Sequence, residues 1–240
     1  MSDSYPINHA ILGGDMQAME ITLEAGQEVI AEAATLLMME DGITFTARMT
    51  DGTEASGMGA FLAVAKRAAS GTGVFLTHFI NESSTAKKVS FSANKPGKIL
   101  QLSLSEWGGR IVAEHGSFLC ASMGTQLDAS FTKRLRSGIF GGTGLILQEF
   151  KGDGTLFVHC CGSIIERELH DETIKCEPGA IVAFHPDIDY SIERAGNLKT
   201  MVFGGEGLFL ATLRGTGKVI MQSLPWSRVV SHIVAEASAK

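Results

Sequence analysis

Three glutamates stand at equivalent positions of a repeated sequence and are the candidate binding residues of this chain. Glu114 follows Glu32 by 82 residues and Glu177 follows Glu114 by 63, each time within a similar stretch. If a rotation axis relates the repeats, the three carboxylates form a ring. A narrow ring would bind a cation or raise the pKa of at least one carboxyl through like-charge repulsion. A wide ring would be three exposed strand residues, and this is the arrangement we favour.

The histidines do not form a metal-binding pattern. A metalloenzyme of the cupin type needs imidazoles at His-x-His spacing together with a carboxylate. No two histidines of this chain are two or four residues apart. They are His9, His78, His115, His159, His170, His185 and His232. We therefore predict no metal ligand and no cofactor.

Two adjacent thiols, Cys160 and Cys161, follow His159 and raise the question of a nucleophile. A neighbouring imidazole can activate a thiolate. Adjacent strand residues point to opposite faces, however, so His159 and Cys160 should not meet. We predict buried, reduced thiols and assign no catalytic residue.

Glycine-rich stretches at 141–144 and 204–207 resemble a phosphate-binding loop in composition only. Such a loop leads into the first turn of a helix. Here apolar runs typical of strands follow, and the same glycines recur in two repeats. We interpret them as structural turns.

The candidate residues lie within a sequence that occurs three times. Residues 31–37 match 113–119 and 176–182, and a second block matches downstream. That second block comprises residues 73–79, 144–150 and 207–213. The repeats span about 15–98, 99–163 and 164–226 within a single domain, 1–240. A unit of this size with one apolar face cannot shield that face alone, so we expect three units to share a core around a pseudo-threefold axis.

Hydrophobic periodicity predicts that the repeated elements are strands. Ile43, Phe45 and Ala47 alternate with polar residues, which is the period of a half-buried strand. Glycine-containing turns at 151–154 and 214–217 each separate two apolar runs, and we predict β-hairpins there. The fold class is therefore all-β.

Two segments have helical spacing instead. Apolar residues within 57–70 predict a short helical insertion in the first repeat, and a stripe within 227–237 predicts a short C-terminal helix. We expect both helices to pack on sheet edges, with contact to a membrane or a partner as the alternative.

Composition argues against a nucleic-acid partner. The chain carries 26 acidic and 20 basic residues, a formal net charge of −6, and its basic clusters are short. Binding to phosphates needs a basic face. No secretory signal is visible and no apolar run is long enough to cross a bilayer, so we predict a cytoplasmic protein.

Several glycine-containing and apolar motifs make the chain similar to a known family. They are 14–17 leading into 23–27, then 113–119 and 203–208. Over about residues 7–224 the chain resembles the "altered inheritance of mitochondria" proteins of the tryptophan RNA-binding attenuator protein-like superfamily. The resemblance implies tandem double-stranded β-helix-like units and tight self-association. It also implies an assembly role, because the mitochondrial members are associated with inner-membrane organisation.

The resemblance supplies no catalytic residues. The attenuator protein binds RNA through basic residues on a ring edge, and no such residues map onto this acidic chain. We expect a non-enzymatic, homo-oligomeric scaffold or binding protein that assembles or associates with membrane complexes. Peripheral membrane contact stays open. The alternatives are a small-molecule or metal-dependent enzyme in a cupin-like barrel and an RNA-binding protein.

Overall fold

Strands make up most of the chain. A computed structural model describes residue 4 and residues 6–49, 75–134, 146–195 and 208–238. Within these ranges the prediction of a β protein with a short C-terminal helix is confirmed. The strands are β1 (Asn8–Leu12), β2 (Ala18–Leu23), β3 (Glu28–Ala31), β4 (Leu36–Met39), β5 (Ile43–Met49), β6 (Phe75–Asn81), β7 (Lys87–Ser92), β8 (Gly97–Ser103), β9 (Arg110–Glu114), β10 (Phe118–Ser122), β11 (Thr125–Arg134), β12 (Ile146–Gly152), β13 (Thr155–Cys161), β14 (Ile164–Cys176), β15 (Ile181–Phe184), β16 (Asp189–Ala195) and β17 (Leu208–Gln222).

The described strands form three antiparallel sheets. The first has the order β1-β2-β7-β4, and the second has the order β5-β6-β3-β10-β13-β8. The third has the order β11-β12-β9-β15-β17-β14, with β16 also paired to β17. The second and third sheets thus each combine strands from two distant parts of the chain.

The second and third sheets each contain, at their centre, the same kind of junction between two strands. In the second sheet, β3 meets β10 with Ala31 opposite Cys120. In the third sheet, β9 meets β15 with Ala113 opposite Ala183. In the sequence repeat, Ala31 aligns with Ala113 and Cys120 aligns with Ala183. The two junctions therefore have the same register.

The predicted hairpins at 151–154 and 214–217 are wrong, although the apolar runs around them are strands. β12 pairs with β11 and β9, whereas β13 pairs with β10 and β8 in another sheet. The second turn lies inside β17, a single strand whose two halves both pair with β14 across a register shift. The glycines at 151–154 lie at the end of a strand and those at 214–217 lie within one, so glycine content alone does not identify a hairpin.

Apolar side chains fill the spaces between these sheets in three clusters. One cluster lies between the first and second sheets around Phe79 and Phe91, whose ring centroids are 5.2 Å apart. A second lies between the second and third sheets and includes Phe118 and Phe150 at 5.1 Å. The third covers one face of the third sheet. The first two clusters are thus each shared between two sheets.

The C-terminal helix, α1 (Trp226–Ser238), confirms the prediction for 227–237. Its apolar stripe does not pack on a sheet edge among the described residues, because Val230, Ile233 and Val234 are 42%, 57% and 56% exposed. The predicted helix at 57–70 lies outside the described residues. Among the helices that the structure describes, none combines the length and apolarity needed to cross a membrane.

Candidate functional site

The three candidate glutamates have the same local backbone structure. Each immediately precedes a short 3-10 helix with φ between −70° and −63° and ψ between 126° and 132°. The main-chain oxygen of Glu32 accepts a hydrogen bond from the Thr35 backbone N–H at 3.0 Å, and that of Glu177 accepts one from Ala180 at 3.0 Å. The main-chain oxygen of Glu114 accepts one from the Ser117 hydroxyl at 2.7 Å. This shared turn follows β3, β9 and β14. Of these strands, β3 and β9 form the two junctions.

Their side chains, in contrast, have different partners. Glu177 forms an ion pair with Arg228 of α1, Glu114 lies close to Lys95, and Glu32 is partly exposed. No group of three or more His, Cys, Asp or Glu side chains within the described ranges is placed to hold a metal ion. The structure therefore does not bring these three carboxylates into one ion site, and their role in binding stays a prediction.

Glu114 has the most restrictive surroundings. Burial raises the pKa of its carboxyl, and this effect is opposed by the Gly116 N–H and by the positive charges of Lys95 and His115. A Cβ at Gly116 would lie 3.1 Å from both the Lys95 Nζ and the Glu114 Oε2. The His115 Nδ1 in turn lies 3.1 Å from the Gln148 Oε1. Glycine thus leaves the narrow space between the ammonium and the carboxylate open.

The thiols near Glu114 are not activated. Burial, followed by the neighbouring Cys161 and Glu166, raises the pKa of Cys160 to about 12. Burial also raises the pKa of Cys161, against the opposing charge of Lys95. A thiolate nucleophile needs a lowered pKa. The prediction of buried thiols is confirmed at Cys160 and Cys161, and it also holds at Cys120, whereas Cys176 is only partly buried.

Sequence reasoning missed Lys95 and Gln148 as members of this polar cluster. Lys95 lies in the turn before β8, and Gln148 is almost completely buried on β12. Lys95 lies outside the repeated blocks, and Gln148 aligns in the repeat with Thr77 and Ala211, so neither residue belongs to a pattern that would indicate a site. Only the pairing of β12 with β9 places Gln148 beside the end of β9.

Buried His159 predicts a specific pH dependence of stability. Burial, followed by the charge of Lys95, lowers its pKa to about 4, whereas an unfolded imidazole protonates near pH 6.5. The contribution of His159 to stability is therefore complete above about pH 6.5 and is lost as the pH falls toward 4. We expect His159→Gln to reduce the loss of unfolding free energy between pH 7 and pH 4.5 by about 2 kcal/mol. Urea denaturation of both proteins at both pH values measures this difference.

Comparing the pH effect within each protein isolates the imidazole. Glu114, whose raised pKa acts in the opposite direction, is present in both proteins and cancels. Equal pH effects in wild type and variant would contradict a neutral, buried His159.

The surface also has a depression of about 470 Å³. It lies beside Trp107, His185 and Lys218. The Lys218 Nζ lies 5.8 Å from the centroid of the Trp107 ring, a favourable cation–π distance. The depression is lined by charges of both signs, so it does not indicate one class of ligand.

These features define a protein of three antiparallel β-sheets, two of which contain such a strand junction, with buried ionisable groups near the junctions. The chain belongs to the mitochondrial biogenesis AIM24 family, because the family model matches residues 9–224. The resemblance to the altered-inheritance-of-mitochondria proteins is thereby confirmed.

Two streptococcal proteins illustrate the relationship. An uncharacterized protein of Streptococcus pyogenes serotype M6 is 27% identical over 208 residues, which cover 86% of this chain and 81% of the relative. A crystal structure of a Streptococcus pyogenes protein, solved by a structural genomics consortium, has a TM-score of 0.74 at 25% identity. That match covers 96% of this chain and 100% of the solved chain.

Proposed function

We propose that this protein is a non-enzymatic scaffold that self-associates through its sheet edges and serves in the assembly of membrane complexes. In this proposal three tandem units, at about 15–98, 99–163 and 164–226, are joined in series. Each junction joins a strand of one unit to the edge of the next. The description of the family as one of mitochondrial biogenesis supports an assembly role.

One observation carries the proposal. Leu37 and Met38 on β4 are 60% and 52% exposed. The residues at the same positions of the next unit, Leu119 and Cys120, are fully buried at the junction of the second sheet. An apolar sheet edge that is buried twice within the chain and exposed once is a surface suited to a partner.

The series also leaves a pseudo-threefold ring incomplete. Such a ring needs three junctions, and the described residues contain two of them. At the third, β4 pairs with β7 and β14 pairs with β17, with no pairing between β4 and β14 in the described ranges. In a self-associated form, strands of another copy would pair with these two edges.

Sedimentation equilibrium of the full chain at micromolar concentration tests the proposal. We expect a weight-average mass above the 25.5 kDa of one chain, rising with concentration. Because a mass that stays at 25.5 kDa would mean a monomer, that result would contradict a self-associating scaffold.

A further inference from the structure

We propose that copies of this chain join head to tail in a defined register. The head is strand β4, and the tail is the second half of β14, residues 172–176. In this arrangement the tail of one copy pairs antiparallel with the head of the next, with Cys176 opposite Met38. The inference rests on the proposed self-association and specifies the surfaces, the direction and the register.

The register follows from the two junctions inside the chain. Ala31 faces Cys120 at the first junction, and Ala113 faces Ala183 at the second. In the repeat, the position of Ala31 and Ala113 is occupied by Cys176 in the third unit. The position of Cys120 and Ala183 is occupied by Met38 in the first unit. A third junction of the same kind therefore places these two residues opposite each other.

The backbone of the tail has the conformation that the same hydrogen bond requires. At the first junction, the backbone N–H of Glu32 donates to the oxygen of Leu119 at 3.2 Å. The corresponding groups in the proposed contact are the N–H of Glu177 and the oxygen of Leu37 in the second copy. Glu177 has the same φ and ψ as Glu32 to within 7°, as the values −63° and 131° against −70° and 126° show.

Side-chain exposure at the tail indicates that a neighbouring strand is missing there, as it does at the head. Leu210 is only partly buried, whereas its counterparts Leu76 and Leu147 are 6% and 0% exposed. Leu76 and Leu147 pack into the apolar clusters that the following unit completes. No further unit follows the third in the described ranges, so we infer that a second copy completes the cover of Leu210.

Two substitutions make this contact weaker than the internal junctions. Lys175 occupies the position of Ile30 and Val112, and its Nζ lies 3.0 Å from the Glu193 Oε2. A lysine on an edge strand disfavours pairing. In addition, Ala180 lacks the hydroxyl with which Thr35 contacts the oxygen of Leu119 at 3.3 Å. We therefore expect reversible association rather than a permanent oligomer.

The contact joins two different surfaces, so it is heterologous. Each copy has one head and one tail, so repeated contacts give either a closed ring or an open chain of copies. At each contact the first sheet of one copy fuses with the tail strands of another in the order β16-β17-β14-β4-β7-β2-β1. This fused sheet would have the same architecture as the second and third sheets.

Crosslinking of Met38→Cys to the native Cys176 tests the register. In an antiparallel pair whose neighbours are hydrogen-bonded, as Glu32 and Leu119 are, the two residues form a non-hydrogen-bonded pair with a Cα separation of about 4.5 Å. This distance permits a disulfide. Met38 is exposed, so the variant should fold. After oxidation with diamide we expect covalent oligomers on a non-reducing gel. A thiol reductant should convert them back to monomers.

Two controls and three contrary outcomes make the test decisive. Met38→Cys with Cys176→Ser should give no oligomers, and Leu12→Cys, which is 47% exposed on β1 at the opposite edge of the first sheet, should crosslink far less. A crosslinked species with the mass of one chain would place the contact within a chain and overturn the inference. Oligomers in solution without crosslinking would overturn the register but leave self-association intact. A wild-type protein that is only monomeric would overturn both.

Lys175→Val provides the complementary measurement. It restores the residue type of Val112 to the tail, and we expect the dissociation constant of self-association to fall roughly tenfold. An unchanged dissociation constant would show that the tail is not part of the contact.

Discussion

We expect Asn81→Asp to lower the free energy of unfolding by about 3 kcal/mol at pH 7, and by less at pH 4.5. Asn81 is fully buried. Its Nδ2 donates to the main-chain oxygens of Leu23 and Thr85, both at 2.8 Å. Its Oδ1 accepts from the backbone N–H of Ser83 at 3.0 Å and from the Ser83 hydroxyl at 2.7 Å. The side chain thereby ties the end of β2 to the turn that follows β6.

An aspartate has the same shape but cannot donate while it is ionised. Two carbonyl oxygens would then face a carboxylate oxygen, so the charged form is destabilised and the pKa of the new carboxyl rises in the folded state. Because the folded state then binds the proton more tightly than the unfolded state, the variant recovers stability as the pH falls. Protonation restores only one donor, so recovery is partial.

Urea denaturation at pH 7 and pH 4.5 checks this result. Ser83→Ala is the matched control, since it removes one hydroxyl from the same turn and should cost only about 1 kcal/mol at both pH values. A loss in Asn81→Asp that is no larger than the loss in the control would mean that the amide does not hold the turn.

We expect Gly152→Ala to lower the free energy of unfolding by about 3 kcal/mol or more. Gly152 has φ of 131°, a region that residues with a Cβ rarely adopt. A Cβ there would lie 1.9 Å from the main-chain oxygen of Gly124. The contact is with backbone in the turn immediately before the paired strand β11, so no side-chain rotation relieves it. The chain crosses here from β12 in the third sheet to β13 in the second, so the substitution strains the connection between the two sheets.

Gly14→Ala is the matched control for this prediction. A Cβ at Gly14 would meet no atom within 4 Å, and we expect a change within about 0.5 kcal/mol. Thermal and urea denaturation of the two variants measure the difference. Similar stabilities for both variants would contradict the close approach at Gly152.

The period of the sequence predicts the strands better than it predicts their burial. Ile43 is 5% exposed, as the alternation indicates, but Phe45 on the same face is 57% exposed. Alternation defines which residues share a face of a strand. Whether that face is covered depends on a neighbouring sheet, which a local pattern does not contain.

The repeat predicts equivalent backbone positions but not equivalent sites. Glu32, Glu114 and Glu177 precede the same short 3-10 turn, as their matching positions suggest. Only the fold gives Glu114 a raised pKa and Glu177 a partner in Arg228. Electrostatic environment depends on residues such as Lys95 that are distant in sequence and outside the repeated pattern.

The amino-acid sequence alone determined the β class, the short C-terminal helix and the correspondence between repeated positions, because these follow from local periodicity and self-similarity. The tertiary structure alone decided that β12 and β13 belong to different sheets and that β4 is left at an edge. Strand pairing is a competition between distant segments for burial and hydrogen bonds. That competition is resolved only when the whole chain has folded.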